Sequence, residues 1–245
     1  MDLSQAWEAN ACGFIAHARK PMHDSYWRFH REQFLALLPP PGRLTLDIGC
    51  GEGRLSRDLK KLGHRVVGID ASPTMVRHAR EADPSIEAHV ADAARLPLSD
   101  EVADLAVAFM SLQDIDDLPA AVAETGRVLE PGGRFCLAIV HPLNSAGRFA
   151  GREPASPFVV SDSYLEPFYY QDTVERDGIS VKFASAHRPL EAYFEALAAA
   201  GFLVELLREP PVPETAVFSP SDRRWQRVPL FLHMRAVRLP PPPPR

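Results

Sequence analysis

The chain has 245 residues and carries 27 Lys and Arg against 32 Asp and Glu, a net charge of −5 that offers no basic surface for nucleic acid or an anionic membrane. Hydrophobic residues make up 46% and charged residues 24%, the balance of a globular protein with one large domain, or one domain with a sub-domain. The amino-terminal segment has no long apolar run, and the three cysteines lie far apart without metal-type spacing, so we expect a cytoplasmic protein with no signal peptide and no membrane-spanning segment.

The chain begins with a helical region. Residues 4–38 are predicted to form two helical pieces separated by RKPMHD, and LLPPPGR ends the second piece because proline cannot continue a helix. We assign residues 1–40 to an amino-terminal helical cap.

Strands and helices alternate from residue 43 to residue 142. The predicted strands are RLTLDI, HRVVGID, IEAHVAD, VADLAVAFMS and GGRFCLAIVHP, and the helices between them are GRLSRDLKKLG, SPTMVRHAREAD and DLPAAVAETGRVL. Ser72 is the expected N-cap of the second helix, and Gly63 closes the first. Apolar strands joined by helices predict a parallel sheet that is covered on both faces.

The alternation stops after the fifth strand. Two β-like segments, PFYYQDTV and ISVKFASA, flank ERDG, whose Asp-Gly pair predicts a hairpin. A helix, PLEAYFEALAAAG, and two strands, FLVELLREP and RVPLFLHMRAVR, follow. We therefore divide the rest of the chain into a core at 41–143 and 187–239, a hairpin insertion at 144–186 and a proline-rich tail at 240–245.

A glycine-rich turn follows the first strand directly. Gly49, Gly51 and Gly53 let the backbone turn tightly and let a ligand approach without a side chain in the way, at the carboxyl end of a strand, where open α/β sheets bind ligands. The next strand ends in Asp70, where a carboxylate can hold ribose hydroxyls. The spacing differs from a dinucleotide fingerprint, and Asp47 at the strand end favours a cationic ligand with an amino group over a pyrophosphate.

These motifs resemble the class I S-adenosylmethionine-dependent methyltransferases. LDIGCGEGR resembles their first motif, VVGID the end of strand two, ADAARLPLSD the loop after strand three, and RVLEPGGRFCLAI the approach to strand five. The resemblance covers residues from about 43 to 237 and is nearest to the subgroup that contains ubiquinone and menaquinone biosynthesis methyltransferases. It implies a Rossmann-like α/β fold with a seven-stranded, mostly parallel sheet in the order 3-2-1-4-5-7-6, the last strand antiparallel, and helices on both faces.

The resemblance also implies S-adenosylmethionine as the cofactor and S-adenosylhomocysteine as the product. Its cofactor-binding positions match Asp47, Gly49, Cys50 and Gly51 for the methionine and ribose part, Asp70 for the ribose hydroxyls, Ala71 and Met75 for packing on the adenine, Asp92 and Ala93 for the edge of the adenine, and the carbonyl of Phe109 for the amino group. The carboxylate of the ligand needs a cation, for which Arg54 and Arg19 are the candidates.

Groups that act on the methyl acceptor are expected after strands four and five. The catalytic candidates are Asp114, His141, His187, Tyr169 and Tyr170. His141 ends strand five, where it either faces the acceptor or caps the next helix or loop. The tyrosines belong to the hairpin, which we expect to form a lid over the acceptor together with the amino-terminal helices. The acids near Asp114 indicate a helix start rather than a metal site, so we expect no metal.

The predicted function is methyl transfer to a small, partly apolar molecule by a monomer or homodimer. One alternative is an NAD-type oxidoreductase, against which the glycine spacing and Asp47 argue. The other is a non-catalytic methyltransferase-like binding module, against which the intact glycines with Asp70 and Asp92 argue. The residues leave open whether the acceptor atom is oxygen, nitrogen or carbon.

Overall fold

The computed structural model describes residues 1–161 and 163–240, so residues 241–245 of the predicted proline-rich tail lie outside the described residues. The strands are β1 (Thr45–Ile48), β2 (Val66–Asp70), β3 (Glu87–Val90), β4 (Ala103–Phe109), β5 (Leu129–Val140), β6 (Gly147–Phe149), β7 (Phe158–Val160), β8 (Phe168–Arg176), β9 (Ile179–His187), β10 (Phe202–Arg208) and β11 (Phe231–Arg238). The α-helices are α1 (Leu3–Ala18), α2 (Arg31–Leu35), α3 (Arg54–Lys61), α4 (Pro73–Ala82), α5 (Leu118–Val128), α6 (Pro142–Ala146) and α7 (Leu190–Ala199).

The main sheet has seven strands in the order β3-β2-β1-β4-β5-β11-β10. The first five strands of the chain pair in parallel, and β11 pairs antiparallel with both β5 and β10. Since β10 and β11 are the sixth and seventh strands of this sheet, the predicted order 3-2-1-4-5-7-6 and its antiparallel last strand are confirmed. The carboxyl ends of β1, β2, β4 and β5 therefore meet along one edge.

Local signals set the helix boundaries. The Ser72 hydroxyl accepts the N–H of Met75 at 3.0 Å and caps α4, as predicted. The Asp117 carboxylate caps α5 by accepting the N–H of Ala120 at 3.0 Å. Gly63 follows the end of α3 with a φ of 94°, a left-handed conformation that suits glycine after a helix.

The hydrophobic core lies on both faces of the sheet. One cluster packs sheet residues such as Ile48 and Ile69 against Leu118 of α5 and Leu197 of α7. A second cluster joins residues of the sheet with the amino-terminal region and α3, and it includes Leu59. Burial of the sheet on both faces explains why its strands are apolar along nearly their whole length.

The predicted hairpin is present as β8 and β9, with Tyr170 opposite Ser185. Asp177 and Gly178 form its turn with φ values of 50° and 77°, the conformation that Asp-Gly favours in tight hairpins. A second small pair, β6 and β7, was not predicted, because strands of three residues carry too little alternation to be recognised.

The amino-terminal region is helical, as predicted. After α1 the chain makes a π-helical turn at Tyr26–His30 that continues into α2. Helix α1 packs against β9 of the hairpin and against α4 of the core. Within residues 1–161 and 163–240, no helix combines the length and hydropathy needed to cross a bilayer.

Candidate functional site

A cavity of about 560 Å³ opens at the carboxyl edge of the sheet, within the range of roughly 300–1,000 Å³ of small-molecule sites. It runs from the turn after β1 to the ends of β4 and β5, beneath α1 and the hairpin. The predicted residues that line it are Asp47, Gly49, Cys50, Gly51, Arg54, Asp70, Ala71, Met75, Asp92, Ala93, Phe109, Asp114 and Tyr170. Arg19, His141, His187 and Tyr169 lie outside the lining.

The glycine turn exposes bare backbone to the cavity. Gly49 and Gly51 have φ values of 70° and 56°, which side-chain-bearing residues rarely adopt. A Cβ on Gly49 would lie 2.3 Å from the Cβ of Ser111, so the turn also depends on close packing. A Cβ on Gly51 would have Phe14, at 3.7 Å, as its neighbour and would otherwise project into open space. The space in front of Gly51 is thus available to a ligand.

Asp70 ends β2 beside this turn. Its Oδ2 accepts the N–H of Gly51 at 2.7 Å, and its Oδ1 accepts the N–H of Ser72 at 2.9 Å. Burial raises the pKa of the Asp70 carboxyl. A carboxylate can accept about four hydrogen bonds, so Asp70 keeps acceptor capacity towards the cavity.

Asp47 is almost fully buried at the end of β1. The Ser56 hydroxyl donates to its Oδ2 at 2.5 Å, and burial raises the pKa of Asp47 to about 7. Burial also raises the pKa of the neighbouring Cys50 thiol well above its usual range, which makes it a poor nucleophile. A positive charge in this part of the cavity would favour the ionised form of Asp47.

The two arginines proposed for an anionic group lie in different places. Arg54 lines the cavity, pairs with Asp24 at 2.5 Å, and lies over the ring of Tyr26 at 4.3 Å. Arg19 donates instead to the buried carboxylate of Glu52 at 2.9 Å and to a backbone carbonyl. The structure thus brings Arg54 to the cavity and leaves Arg19 as a link between α1 and the start of α3.

Helix α1 forms the roof of the cavity. Trp7 and Phe14 line it together with Phe183 of β9, and the Trp7 indole N–H donates to the carbonyl of Ala184 at 2.9 Å. Glu8 accepts hydrogen bonds from Ser72 and Thr74 at the start of α4. The sequence analysis did not single out Trp7 or Phe14; the apolar spacing of α1 is the signal that could have found them.

Polar side chains gather at the other end, after β4. The Ser185 hydroxyl donates to Asp114 Oδ1 at 2.6 Å, and Gln113 Nε2 donates to the carbonyl of Met110 at 2.7 Å. Burial raises the pKa of Asp114 well above its usual range and also raises that of Tyr170. Burial therefore disfavours the ionised form of both groups.

A buried histidine pair that no sequence motif indicates lies beside this end. His30 Nε2 and His233 Nε2 are 2.7 Å apart, and the His30 ring stacks on Phe231 with 3.8 Å between centroids. Burial lowers the pKa of both histidines, that of His233 to about 4. Both rings are therefore neutral near pH 7, and His30 contributes to the cavity wall.

Both histidines predicted from the sequence have structural partners away from the cavity. His141 Nδ1 accepts the N–H of Leu143 at 3.0 Å and caps α6, while its Nε2–H donates to Glu209 at 2.9 Å. His187 Nε2–H donates to the carbonyl of Tyr164 at 2.9 Å, and Ser145 bonds its other nitrogen at 2.7 Å.

The tyrosines of β8 point in opposite directions. Tyr170 lines the cavity opposite Ser185, while Tyr169 is 45% exposed on the other face of the hairpin. Strand alternation makes one of the two face outwards, and the sequence alone did not settle which. In the described part of the chain, no cluster of three His, Cys, Asp or Glu side chains is placed to hold a metal ion.

Comparison with known proteins shows which proteins have a similar sequence and fold around this cavity. The family described as "Methyltransferase domain" matches residues 46–137, which include the glycine turn, Asp70 and Asp114. A crystal structure of an S-adenosylmethionine dependent methyltransferase from Mesorhizobium loti is 26% identical, superimposes with a TM-score of 0.71, and covers 88% of this chain and 98% of its own.

Two curated relatives match shorter stretches. The malonyl-[acyl-carrier protein] O-methyltransferase of Pectobacterium atrosepticum is 36% identical over 156 residues, 60% of this chain and 62% of that protein. A ubiquinone/menaquinone biosynthesis C-methyltransferase of Caulobacter vibrioides is 34% identical over 121 residues, 44% of this chain and 48% of that protein. The chain thus spans less than two thirds of the length of either relative. Together the matches confirm the predicted fold and show that residues 46–137 are similar to methyltransferase domains.

Proposed function

We propose that this chain, which carries a class I S-adenosylmethionine-dependent methyltransferase domain, transfers a methyl group to a small, partly apolar molecule. The observation that carries the proposal is the continuity of one cavity. It connects the glycine turn and Asp70 at one end with Phe109, Asp114 and Tyr170 at the other. A donor and an acceptor could therefore meet without passing through solvent.

The residues at the first end fit S-adenosylmethionine. The open space before Gly51 admits a ligand, and Asp70 keeps acceptor capacity for ribose hydroxyls. Asp47 suits a positively charged ligand, and Arg54 suits its carboxylate. Met75 and Ala93 are buried apolar residues that would pack on the adenine, with Ala71 and Asp92 at its rim. The carbonyl of Phe109 would accept from the amino group.

The cofactor supplies a methyl group that its sulfonium has already activated. The chain therefore has to align the acceptor and exclude water. The roof of α1 and the β8–β9 hairpin serve this purpose, since Trp7, Phe14 and Phe183 close the cavity over the turn. The lid predicted from the amino-terminal helices and the hairpin would thus consist of α1 and β8–β9.

Asp114 and Tyr170 would hold the acceptor's polar group in this arrangement. They lie on opposite elements, after β4 and on β8, and Ser185 connects them by hydrogen bonding to Asp114. His141, His187 and Tyr169 are left out of the proposed acceptor site because their side chains lie outside the cavity lining. We also propose a cytoplasmic location, which the free state of Cys12, Cys50 and Cys136 supports.

Isothermal titration calorimetry with S-adenosylmethionine, S-adenosylhomocysteine and NAD tests the cofactor assignment. We expect saturable binding of the first two and none of NAD. Binding of NAD alone would overturn the proposal in favour of an oxidoreductase. Release of S-adenosylhomocysteine on addition of small acceptors would separate an enzyme from a non-catalytic binding module.

A further inference from the structure

The guanidinium of Arg54 already holds a carboxylate in the wall of the cavity. Its Nη1 donates to Asp24 Oδ2 at 2.5 Å, and both side chains line the cavity. The two side chains are only 14% and 15% exposed, so solvent screens this ion pair less than it screens a pair on the surface. A ligand carboxylate that approaches Arg54 therefore meets a neutral ion pair and not a free cation.

Two aromatic rings hold Arg54 in place independently of Asp24. The Cζ atom of Arg54 lies 4.3 Å from the ring centroid of Tyr26 and 5.5 Å from that of Phe14. Tyr26 begins the π-helical turn, and Phe14 belongs to α1, which forms the roof of the cavity. These contacts between a cation and aromatic faces keep the guanidinium beside the glycine turn. Loss of the Asp24 charge should therefore leave Arg54 in the cavity wall.

Arg54 is also the cation on which a ligand carboxylate has to rely. It is the one Lys or Arg among the lining residues that the structure describes. The neighbouring Arg19 and Arg57 both pair with the buried carboxylate of Glu52, at 2.9 Å and 2.8 Å. The ligand carboxylate and Asp24 thus depend on the same guanidinium.

Asp24 can give up Arg54 without losing every partner. Its Oδ1 accepts the backbone N–H of Trp27 at 3.4 Å, and the exposed part of the side chain is open to water. Hydrogen bonds from a backbone N–H and from water can satisfy a carboxylate that is released from its cation. Exchange of Asp24 for the ligand carboxylate on Arg54 therefore leaves no isolated buried charge behind.

We propose that Asp24 competes with the carboxylate of S-adenosylmethionine for Arg54, and that this competition sets how much the carboxylate contributes to affinity. The inference rests on the function proposed above and adds a specificity-determining residue at the cofactor end. With Asp24 present, the adenosine part of the ligand supplies most of the affinity, through the glycine turn and Asp70. S-adenosylhomocysteine carries the same carboxylate, so the return of Asp24 to Arg54 also favours release of the product.

Titration calorimetry with two matched ligands tests this inference. They are S-adenosylmethionine and decarboxylated S-adenosylmethionine, which keeps the sulfonium and the amino group and lacks the carboxylate. In the unmodified protein, we expect the carboxylate to improve the affinity by less than about threefold. Asp24→Asn keeps an oxygen for the Trp27 N–H and removes the charge. It should bind S-adenosylmethionine about tenfold more tightly than the unmodified protein does, and the decarboxylated ligand no more tightly.

Three further variants show whether Arg54 mediates the gain. Arg54→Met, combined with Asp24→Asn, should remove it, because the ligand carboxylate then has no cation to bind. Asp24→Ser, which also offers an oxygen to the Trp27 N–H, should reproduce it. Glu32→Gln, an equal loss of charge on an exposed position of α2 outside the cavity lining, is the matched control and should change neither affinity. Circular dichroism checks the fold of each variant.

Absence of S-adenosylmethionine binding by the unmodified protein would overturn the proposed function itself. If the unmodified protein binds it, three results would overturn the competition alone. These are unchanged or weaker binding of S-adenosylmethionine in the two Asp24 variants, equal tightening towards both ligands, and a gain that persists when Arg54 is replaced.

Discussion

The cavity has two ends that differ in construction: the proposed cofactor end at the turn after β1, and the proposed acceptor end after β4. The cofactor end uses backbone groups and acids close together in the chain: Asp70 accepts from the N–H of Gly51, 19 residues away. The acceptor end uses side chains far apart in the chain: Ser185 reaches Asp114 across 71 residues, and His30 reaches His233 across 203. Backbone groups remain when side chains change, so the first end can keep its ligand through many substitutions. At the second end, a single substitution can change the shape and polarity of the cavity.

The difference also appears in the charges. At the cofactor end, Asp70 is satisfied by backbone N–H groups that the turn fixes in place. At the acceptor end, Asp114 depends on a hydroxyl from the hairpin. Movement of the hairpin or of α1 would thus alter the acceptor end and leave the turn after β1 intact. The following changes test this division, in order of decreasing expected effect.

Replacing Gly51 by Val should abolish measurable binding of S-adenosylmethionine. The residue has a φ of 56°, which costs a β-branched residue roughly 1–2 kcal/mol, and its side chain would enter the ligand's space. Titration calorimetry measures the affinity, and circular dichroism checks the fold. Gly132→Val is the control, since Gly132 has a φ of 83° with no atom within 4 Å of its Cβ position. It should lose stability and keep its affinity; equal affinity loss in both variants would mean that strain alone acts.

Asp70→Ala should weaken S-adenosylmethionine binding by about tenfold or more, since charge-assisted hydrogen bonds contribute about 1.5–3 kcal/mol each. The fold should persist, because β2 keeps its pairing on both sides. Glu81→Ala, the loss of an exposed acid on α4, should have no effect. An unchanged affinity in Asp70→Ala would remove this residue from the cofactor site.

The residues that line the proposed cofactor end could be singled out from the sequence because they lie close together in the chain. A strand, a glycine turn and an acid at the end of the next strand form one continuous pattern, and the sheet order followed from the same resemblance. The roof was predicted more coarsely: the sequence indicated helices over residues 4–38 and a hairpin, but it gave no register between them. Trp7 meets Ala184 across 177 residues, and no local pattern encodes that distance.

The residues of the proposed acceptor end could not be identified from local sequence patterns, because contacts between distant segments place them. Tyr169 and Tyr170 were equivalent in the sequence, and the pairing of β8 with β9 selects Tyr170 for the cavity. His30 carries no motif and reaches the site through a π-helical turn that periodicity does not predict. His141 ends a strand at the expected edge, but its bond to the N–H of Leu143 turns the ring to cap α6.

Affinity for S-adenosylmethionine should rise with pH and level off above pH 7. Burial raises the pKa of Asp47 to about 7, so the free folded protein keeps a proton there that the unfolded chain loses at the ordinary aspartate pKa. The free energy of unfolding therefore falls as the pH rises between those two values. A bound cation favours the ionised carboxylate, so binding releases this proton, and affinity should be about tenfold lower one pH unit below the pKa.

Calorimetry at about pH 6 and about pH 8 measures this effect, and the affinity should differ about tenfold between the two, as the release of the Asp47 proton requires. Asp47→Asn is the control, since it removes the Asp47 proton and leaves the titration of the ligand and of Asp70 in place. An equal pH dependence in both proteins would assign the effect to those other groups and not to Asp47.

The smallest effect expected is that of His141→Ala, and it separates a structural histidine from an acceptor-site histidine. The ring caps α6 through Nδ1 and donates to Glu209 through Nε2, and it does not line the cavity. Loss of such a cap costs about 1 kcal/mol of unfolding free energy, measurable by urea denaturation. His141→Asn should restore much of it, because asparagine can accept the same N–H. Both variants should bind S-adenosylmethionine like the unmodified protein. If His141→Ala kept full stability and its affinity for S-adenosylmethionine but lost methyl transfer, the acceptor site would have to extend beyond β5 to α6, and the boundary between the two ends of the cavity would have to be redrawn.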